Sequence, residues 1–158
     1  MTNDIGARKN EMRARLREER RAVDDPAERS IAIWSSVRSE PSVLPARTIM
    51  VFDSIAGEPE TASFIEWCTS VGKHVVVPGN DPSAELPDDP QSIDVVIVPG
   101  VAFTADGDRL GQGGGWYDRL LAQVRDDCTS IGVAFDEQLV DDLPTDDHDR
   151  PVDIIITA

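Results

Sequence analysis

The sequence is poor in several things that whole classes of protein depend on. It has two cysteines, Cys68 and Cys128, in 158 residues. They form neither a disulfide framework nor a C-x-x-C site, and they read as small buried hydrophobes. No run approaches the roughly 18 apolar residues of a membrane helix. The opening, Met1 to Gly6, has no apolar signal region, so a cytoplasmic protein is expected. Lysine occurs only at Lys9 and Lys73. Neither stands in G-x-x-x-x-G-K-[ST], which excludes the P-loop. Positive charge is scarce, with 15 Lys and Arg against 30 Asp and Glu and a net charge of −15. Such a surface repels nucleic acid and anionic membrane, so neither is expected as a partner. An anionic small molecule would need a local basic patch or a metal ion. Internal repeats and low-complexity tails are also absent.

What is present is a folded α/β pattern, with 40% apolar residues. Residues 8–21 are rich in charge and helix formers, with Met12 and Leu16 as apolar anchors. Asp24-Asp25-Pro26 reads as the cap of a second helix carrying Ile31, Ile33, Trp34 and Val37 on an apolar face. Short apolar strands follow at 48–52, 74–78, 95–98, 130–134 and 154–157. Helices at 62–71 and 116–124 alternate with them. The order β-α-β-β-α-β predicts a three-layer α/β fold, a mostly parallel open sheet flanked by helices. One domain over 1–158 is expected, with the helical segment 8–40 packed on it. In open α/β sheets ligands bind beyond the carboxyl ends of the strands. Glu58, the glycine loop and residues 146–149 could all converge there.

The densest chemistry lies between Pro99 and Arg119, where Gly107, Gly111, Gly113, Gly114 and Gly115 sit between a strand and a helix start. Glycine lets the backbone approach an anion, and successive N–H groups can form a nest. A helix N-terminus adds partial positive charge. Arg109 could offer a fork to phosphate, and Asp118 could hold a metal ion that bridges phosphates. A flexible glycine turn is the alternative. Gly111-x-Gly113 does not complete a dinucleotide fingerprint, because position 116 is Trp. Elsewhere the residues leave two readings open. Lys9 and Arg13 share a helix face and could reach one phosphate, or could simply be solvated. Glu58 and Glu60 could be ligands or first-turn acids. Asp146 to Asp149 could be a solvated loop or a second source of metal-binding carboxylate. His148 has no His or Cys partner to make a zinc site. His74 reads as a strand-edge residue.

The stretch PGVAFTADGDRLGQGGGWYDRLLA resembles the signature of the 5-formyltetrahydrofolate cyclo-ligase family, P-G-x-x-F followed by G-x-R-L-G-x-G-x-G-[YFW]-Y-D-R. The resemblance runs from Lys9 to Thr157. It includes an early K-x-x-x-R at Lys9 and Arg13, E-x-x-T at Glu58 and Thr61, and a closing L-P…D-x-x-V-D. It implies ATP- and Mg2+-dependent cyclisation of 5-formyltetrahydrofolate to 5,10-methenyltetrahydrofolate, with ADP and phosphate released. It implies Lys9 and Arg109 as catalytic residues. The nucleotide would lie against Lys9, Arg13, Arg109, Leu110, Gly111, Gln112, Gly113, Gly114, Gly115, Trp116 and Tyr117. The reduced folate would meet Glu58, Gln112, Trp116 and Tyr117, with Glu58 on the pterin. Mg2+ would sit on Asp118 and Asp149. A monomer is expected, with a dimer as the alternative. Residues 80–92 are a short polar connector where relatives carry a longer insert. A rival expectation is therefore a family-like ATP-binding protein whose folate activity is lost or redirected.

Overall fold

The computed structural model describes residues 2–158. Helix α1 (Thr2–Arg21) is almost wholly polar. It buries Leu16 and Arg20 and little else. Helix α2 (Pro26–Arg38) buries Ile33, Trp34 and Val37 along one face, as their 3–4 spacing requires. Then come β1 (Thr48–Met50), α3 (Ala62–Ser70), β2 (His74–Val76), β3 (Val95–Val98), β4 (Ala102–Phe103), β5 (Arg109–Leu110), α4 (Trp116–Leu121), β6 (Thr129–Ala134) and β7 (Ile154–Thr157).

Five strands form one parallel sheet in the order β2-β1-β3-β6-β7. The register pairs Ile49 with Val95, Val96 with Ser130 and Gly132 with Ile155. Side chains alternate between faces along a strand. Ile49, Val95, Ile97, Ile131 and Val133 therefore share one core with α2 and with Phe64 and Cys68 of α3. Met50, Val96 and Val98 face the other way and pack with Trp116 and Leu120 of α4. That is the three-layer arrangement. Trp34 stacks on Phe64 with ring centroids 4.6 Å apart, and removing a buried ring of this kind costs about 3–5 kcal/mol. Both cysteines lie in these cores, and burial pushes each thiol up to about 11.

Several expectations needed correction. The strand expected over 48–52 is assigned only through Met50, although the Val51 amide still donates to the Val76 carbonyl at 2.9 Å. The strand expected over 74–78 ends at Val76. Asp25 does stand at the start of α2. Its backbone, however, is left-handed (φ 50°) and its side chain makes no capping bond. The helix expected over 116–124 stops at Leu121. Between Gly100 and Gly111 the chain also makes an antiparallel ribbon, Ala102 opposite Leu110 and Phe103 opposite Arg109. Strands of two residues are too short for alternation to reveal. Leu16 of α1 packs on this ribbon, with Val101, Ala102, Leu110 and Leu143. That contact brings the polar helix across the strand exits. No helix among the described residues is long and apolar enough to cross a membrane.

A candidate active site beyond the strand exits

A cleft of about 670 Å³ opens beside the glycine loop, within the range usual for small-molecule sites. Lys9, Arg13, Glu58, Arg109, Leu110, Gln112, Trp116, Tyr117, Asp118, Asp149 and the glycines from Gly111 to Gly115 all line it. So the structure brings every candidate residue to one place, from positions as far apart as 9 and 149. The cleft also collects five of the chain's 15 cations: Lys9, Arg13, Arg109, Arg119 and Arg150. Six carboxylates accompany them, and the cleft is near neutral inside a strongly acidic protein.

The glycine loop contributes backbone. Gly113 (φ 113°) and Gly115 (φ 67°) are left-handed, a conformation that L side chains resist. None of the amides from Gly111 to Gly115 donates a hydrogen bond among the described residues. Such donors are ordinarily satisfied by a ligand or by water. Helix α4 has only six residues, so its dipole adds less here than the amides themselves. The carbonyls of the loop are held from outside. Arg13 Nε donates to Gly111 O at 2.8 Å, and Arg119 Nη1 donates to Gly114 O at 2.8 Å. Arg17 donates to both Gln112 O and Gln112 Oε1. Arg109 lies beneath the loop. Its guanidinium donates to Pro99 O at 3.1 Å and sits 5.3 Å from the Tyr117 ring centroid. A Cβ at Gly111 would come within 2.6 Å of its Nη1. Burial pulls the Arg109 pKa down, against the opposing pull of Asp118, and burial pushes the Tyr117 hydroxyl up.

On the far side of the loop Lys9 Nζ donates to Asp149 Oδ2 at 2.6 Å and to Asp146 Oδ2 at 3.0 Å. Burial works against the Lys9 charge, but these two bonds outweigh it and its pKa is raised. Asp146 is held low by the Lys9 bond and by the His148 amide. The Arg150 amide donates to Asp118 Oδ1 at 2.9 Å, which ties the acidic loop to α4. His148 is exposed, and no group of three metal-ligating side chains occurs among the described residues.

Glu58 comes from a pinned loop. Ser54 and Thr61 exchange backbone-to-hydroxyl bonds across it. Glu60 N donates to Ser30 Oγ, and Trp34 Nε1 donates to Glu60 O. The two acids divide the readings left open by the sequence. Glu60 Oε1 accepts from the Ala62 amide at the start of α3, whereas Glu58 lines the cleft. Burial pushes the Glu58 carboxyl up to about 7, with Arg20 and the Ile55 amide pulling it back.

Sequence reasoning missed three contributors. Arg17 continues the Lys9, Arg13 spacing of four, a signal that was there to be used. Arg119 clamps the glycine loop to the connector, through Gly114 O and Pro82 O. The connector itself lines the cleft from Gly79 to Pro82. Trp116 Nε1 donates to Ala84 O, and a Cβ at Gly114 would lie 2.5 Å from Pro82 Cβ. Nothing in its polar composition marks that packing. It depends on a residue over thirty positions away having no side chain.

Known proteins resemble this chain in sequence and in fold. The model of the 5-formyltetrahydrofolate cyclo-ligase family matches residues 79–158. The 5-formyltetrahydrofolate cyclo-ligase of Escherichia coli (strain K12) is 32% identical, over 90% of this chain and 96% of the relative. That of Haemophilus influenzae is 30% identical, over 70% and 76%. The solved 5,10-methenyltetrahydrofolate synthetase from Mycoplasma pneumoniae superposes with a TM-score of 0.78 at 26% identity, covering 94% of this chain and 97% of that one. The Aquifex aeolicus 5,10-methenyltetrahydrofolate synthetase gives 0.81 at 26% identity, covering 94% and 89%. With the cleft, its glycine loop and these matches together, the chain belongs to the 5-formyltetrahydrofolate cyclo-ligase family.

Proposed function

We propose that this chain closes 5-formyltetrahydrofolate to 5,10-methenyltetrahydrofolate in this cleft, using ATP and releasing ADP and phosphate. The observation that carries the reading is the meeting of all its candidate residues on one cleft, built around unpartnered loop amides. In the reaction the formyl oxygen takes the γ-phosphoryl group. The N10 nitrogen then bonds to the activated carbon and gives up its proton, and the phosphate leaves with that oxygen. Phosphoryl transfer asks a protein mainly for positioning and charge stabilisation. Lys9 and Arg109 supply fixed positive charge, and Arg13 with the amides of Gly111 to Gly115 cradles the phosphates. Glu58 accepts the adjacent N–H donors of the pterin, with Gln112, Trp116 and Tyr117 as the surrounding surface.

Asp118 and Asp149 fit a magnesium ion. One oxygen of each is fixed by a backbone amide, Arg150 N on Asp118 and Asp146 N on Asp149. The second oxygen of each accepts no hydrogen bond among the described residues. Magnesium favours one or two carboxylates plus substrate phosphates, so this pair suffices. When bound, the ion would neutralise charge on the transferred phosphoryl group. The connector lines the cleft and is clamped by Arg119, which favours folate chemistry over a nucleotide-only relative. We further infer a cytoplasmic monomer without nucleic-acid or membrane partners, as the −15 charge suggests.

The test is the near-ultraviolet absorbance of the methenyl product. An ATP-dependent rise that Asp118→Asn abolishes is the expected result. A flat trace from a protein that still binds ATP would overturn the folate activity.

A further inference from the structure

Arg20 is less exposed than any other charged residue among the described residues, at 6%. It sits in the last turn of α1 and is not part of the cleft lining. Its guanidinium donates no hydrogen bond among the described residues, and Nη1 is sealed from solvent without a partner. Burying an unpaired cation is unfavourable, so a compensating charge is expected close by. The side chain packs against Gly57, where a Cβ would lie 2.7 Å from its Nε. The next residue is Glu58, whose Oε2 is likewise sealed and unpartnered. Two opposite charges thus flank one glycine, and no ion pair joins them. A closed Arg–Glu fork would consume the carboxylate oxygens. The open arrangement gives Glu58 the field of a cation and leaves Oε2 without a protein donor.

We propose that Arg20 is a positioning residue for folate recognition, its fixed charge favouring the carboxylate form of Glu58 that a pterin's adjacent N–H donors require. This rests on the folate reading above. The groups acting on Glu58 come from three elements. Arg20 on α1 favours its charge, as does the Ile55 amide in its own loop, and Asp53 opposes it. Tyr117 on α4 faces it and stays neutral, its hydroxyl being pushed upward. Arg17 and Arg21 lie beside Arg20 and oppose its charge, as burial does. Removing Arg20 leaves only the Ile55 amide against burial and Asp53, which both favour the protonated acid.

The experiment is calorimetric binding of 5-formyltetrahydrofolate, and separately of ATP, to the wild type, Arg20→Gln and Arg20→Lys from about pH 6 to about pH 9. The ligand's own titration is common to all three proteins and cancels in the comparison. Wild-type affinity should rise as the pH passes about 7, where Glu58 ionises. In Arg20→Gln that midpoint should move up by about one unit, weakening folate binding roughly fivefold at pH 7 and approaching tenfold toward pH 6. Arg20→Lys should restore the wild-type midpoint, and ATP affinity should stay unchanged in both. An unmoved midpoint in Arg20→Gln overturns the proposal, as does parallel loss of ATP and folate affinity, which would mark a merely structural role. Should Arg20→Gln fail to fold, Gly57→Ala displaces the guanidinium instead and should give the same upward shift; no shift overturns. Absence of folate binding to the wild type would sink the folate reading, and this proposal with it.

Discussion

Two charge clusters serve the same cleft, and they handle charge in opposite ways. Around Lys9 every charge is answered. The ammonium bonds two carboxylates at 2.6 and 3.0 Å, and backbone amides hold those carboxylates in turn. Around Glu58 the charges face one another without pairing, and Glu58 Oε2 and Arg20 Nη1 are both buried without partners. The first arrangement is stable without ligand and can exchange partners when an anion arrives. The second leaves a buried acceptor and a buried donor unsatisfied, which raises the folded state's free energy. On the function proposed above, the comparison assigns the polyphosphate to the cluster where charge is pooled and exchangeable, and the flat heterocycle to the one whose acceptor has no protein donor.

The sharpest way to break that comparison is to remove the centre of the paired cluster. Lys9→Met leaves Asp149 and Asp146 facing each other without their cation. Truncating one partner of such a pair costs about 2–5 kcal/mol, so kcat/KM should fall at least roughly 30-fold, chiefly through ATP. Steady-state kinetics with each substrate varied checks this; a loss confined to folate KM would reverse the assignment.

The connector offers the next largest effect. Gly114→Val places side chain where Pro82 now packs, and overpacking of this kind costs about 1–3 kcal/mol. Thermal denaturation should show the loss, and folate KM should rise as the Gly79–Pro82 wall of the cleft is displaced. An unchanged KM would mean that the connector is only a cover.

The unpaired cluster predicts a smaller change of opposite sign. In the folded state Glu58 titrates at about 7, above its ordinary 4.5. The folded chain therefore holds a proton that the unfolded chain has lost between those two values. Stability falls as pH rises through that window and stays lower above it. Glu58→Gln mimics the protonated form. It should stabilise the ligand-free protein by about 1–3 kcal/mol at pH 8 and leave it nearly unchanged at pH 5, read as the melting temperature at each pH. Destabilisation at pH 8 would show that Arg20 and Glu58 pair after all. The smallest effect belongs to His148. It is exposed, and only its backbone amide is engaged, with Asp146. His148→Ala should move stability by no more than about 0.5 kcal/mol and should leave activity intact, with or without added zinc.

Much of this was legible in the residues because ligand-binding groups sit in motifs, and motifs are local. The five parallel strands were visible as apolar runs. The glycine loop and its flanking Arg109 and Asp118 were visible as spacing. What stayed hidden was non-local. Two-residue strands at Ala102–Phe103 and Arg109–Leu110 carry no period. The connector's place in the cleft depends on Gly114, and Arg20 looks like one more cation on a charged helix until Gly57 is folded against it. Asp25 shows the reverse failure, a good capping residue whose left-handed backbone keeps the side chain from making the cap.

The measurement that bears most directly on the division of labour is isothermal titration of ATP with magnesium, and separately of 5-formyltetrahydrofolate, into the wild type, Lys9→Met and Glu58→Gln. The expected result is a crossed pattern: Lys9→Met weakens the nucleotide and spares the folate, while Glu58→Gln weakens the folate and spares the nucleotide. If each substitution weakened both ligands alike, the two clusters would be one site, and the distinction between paired and unpaired charge would have no functional meaning.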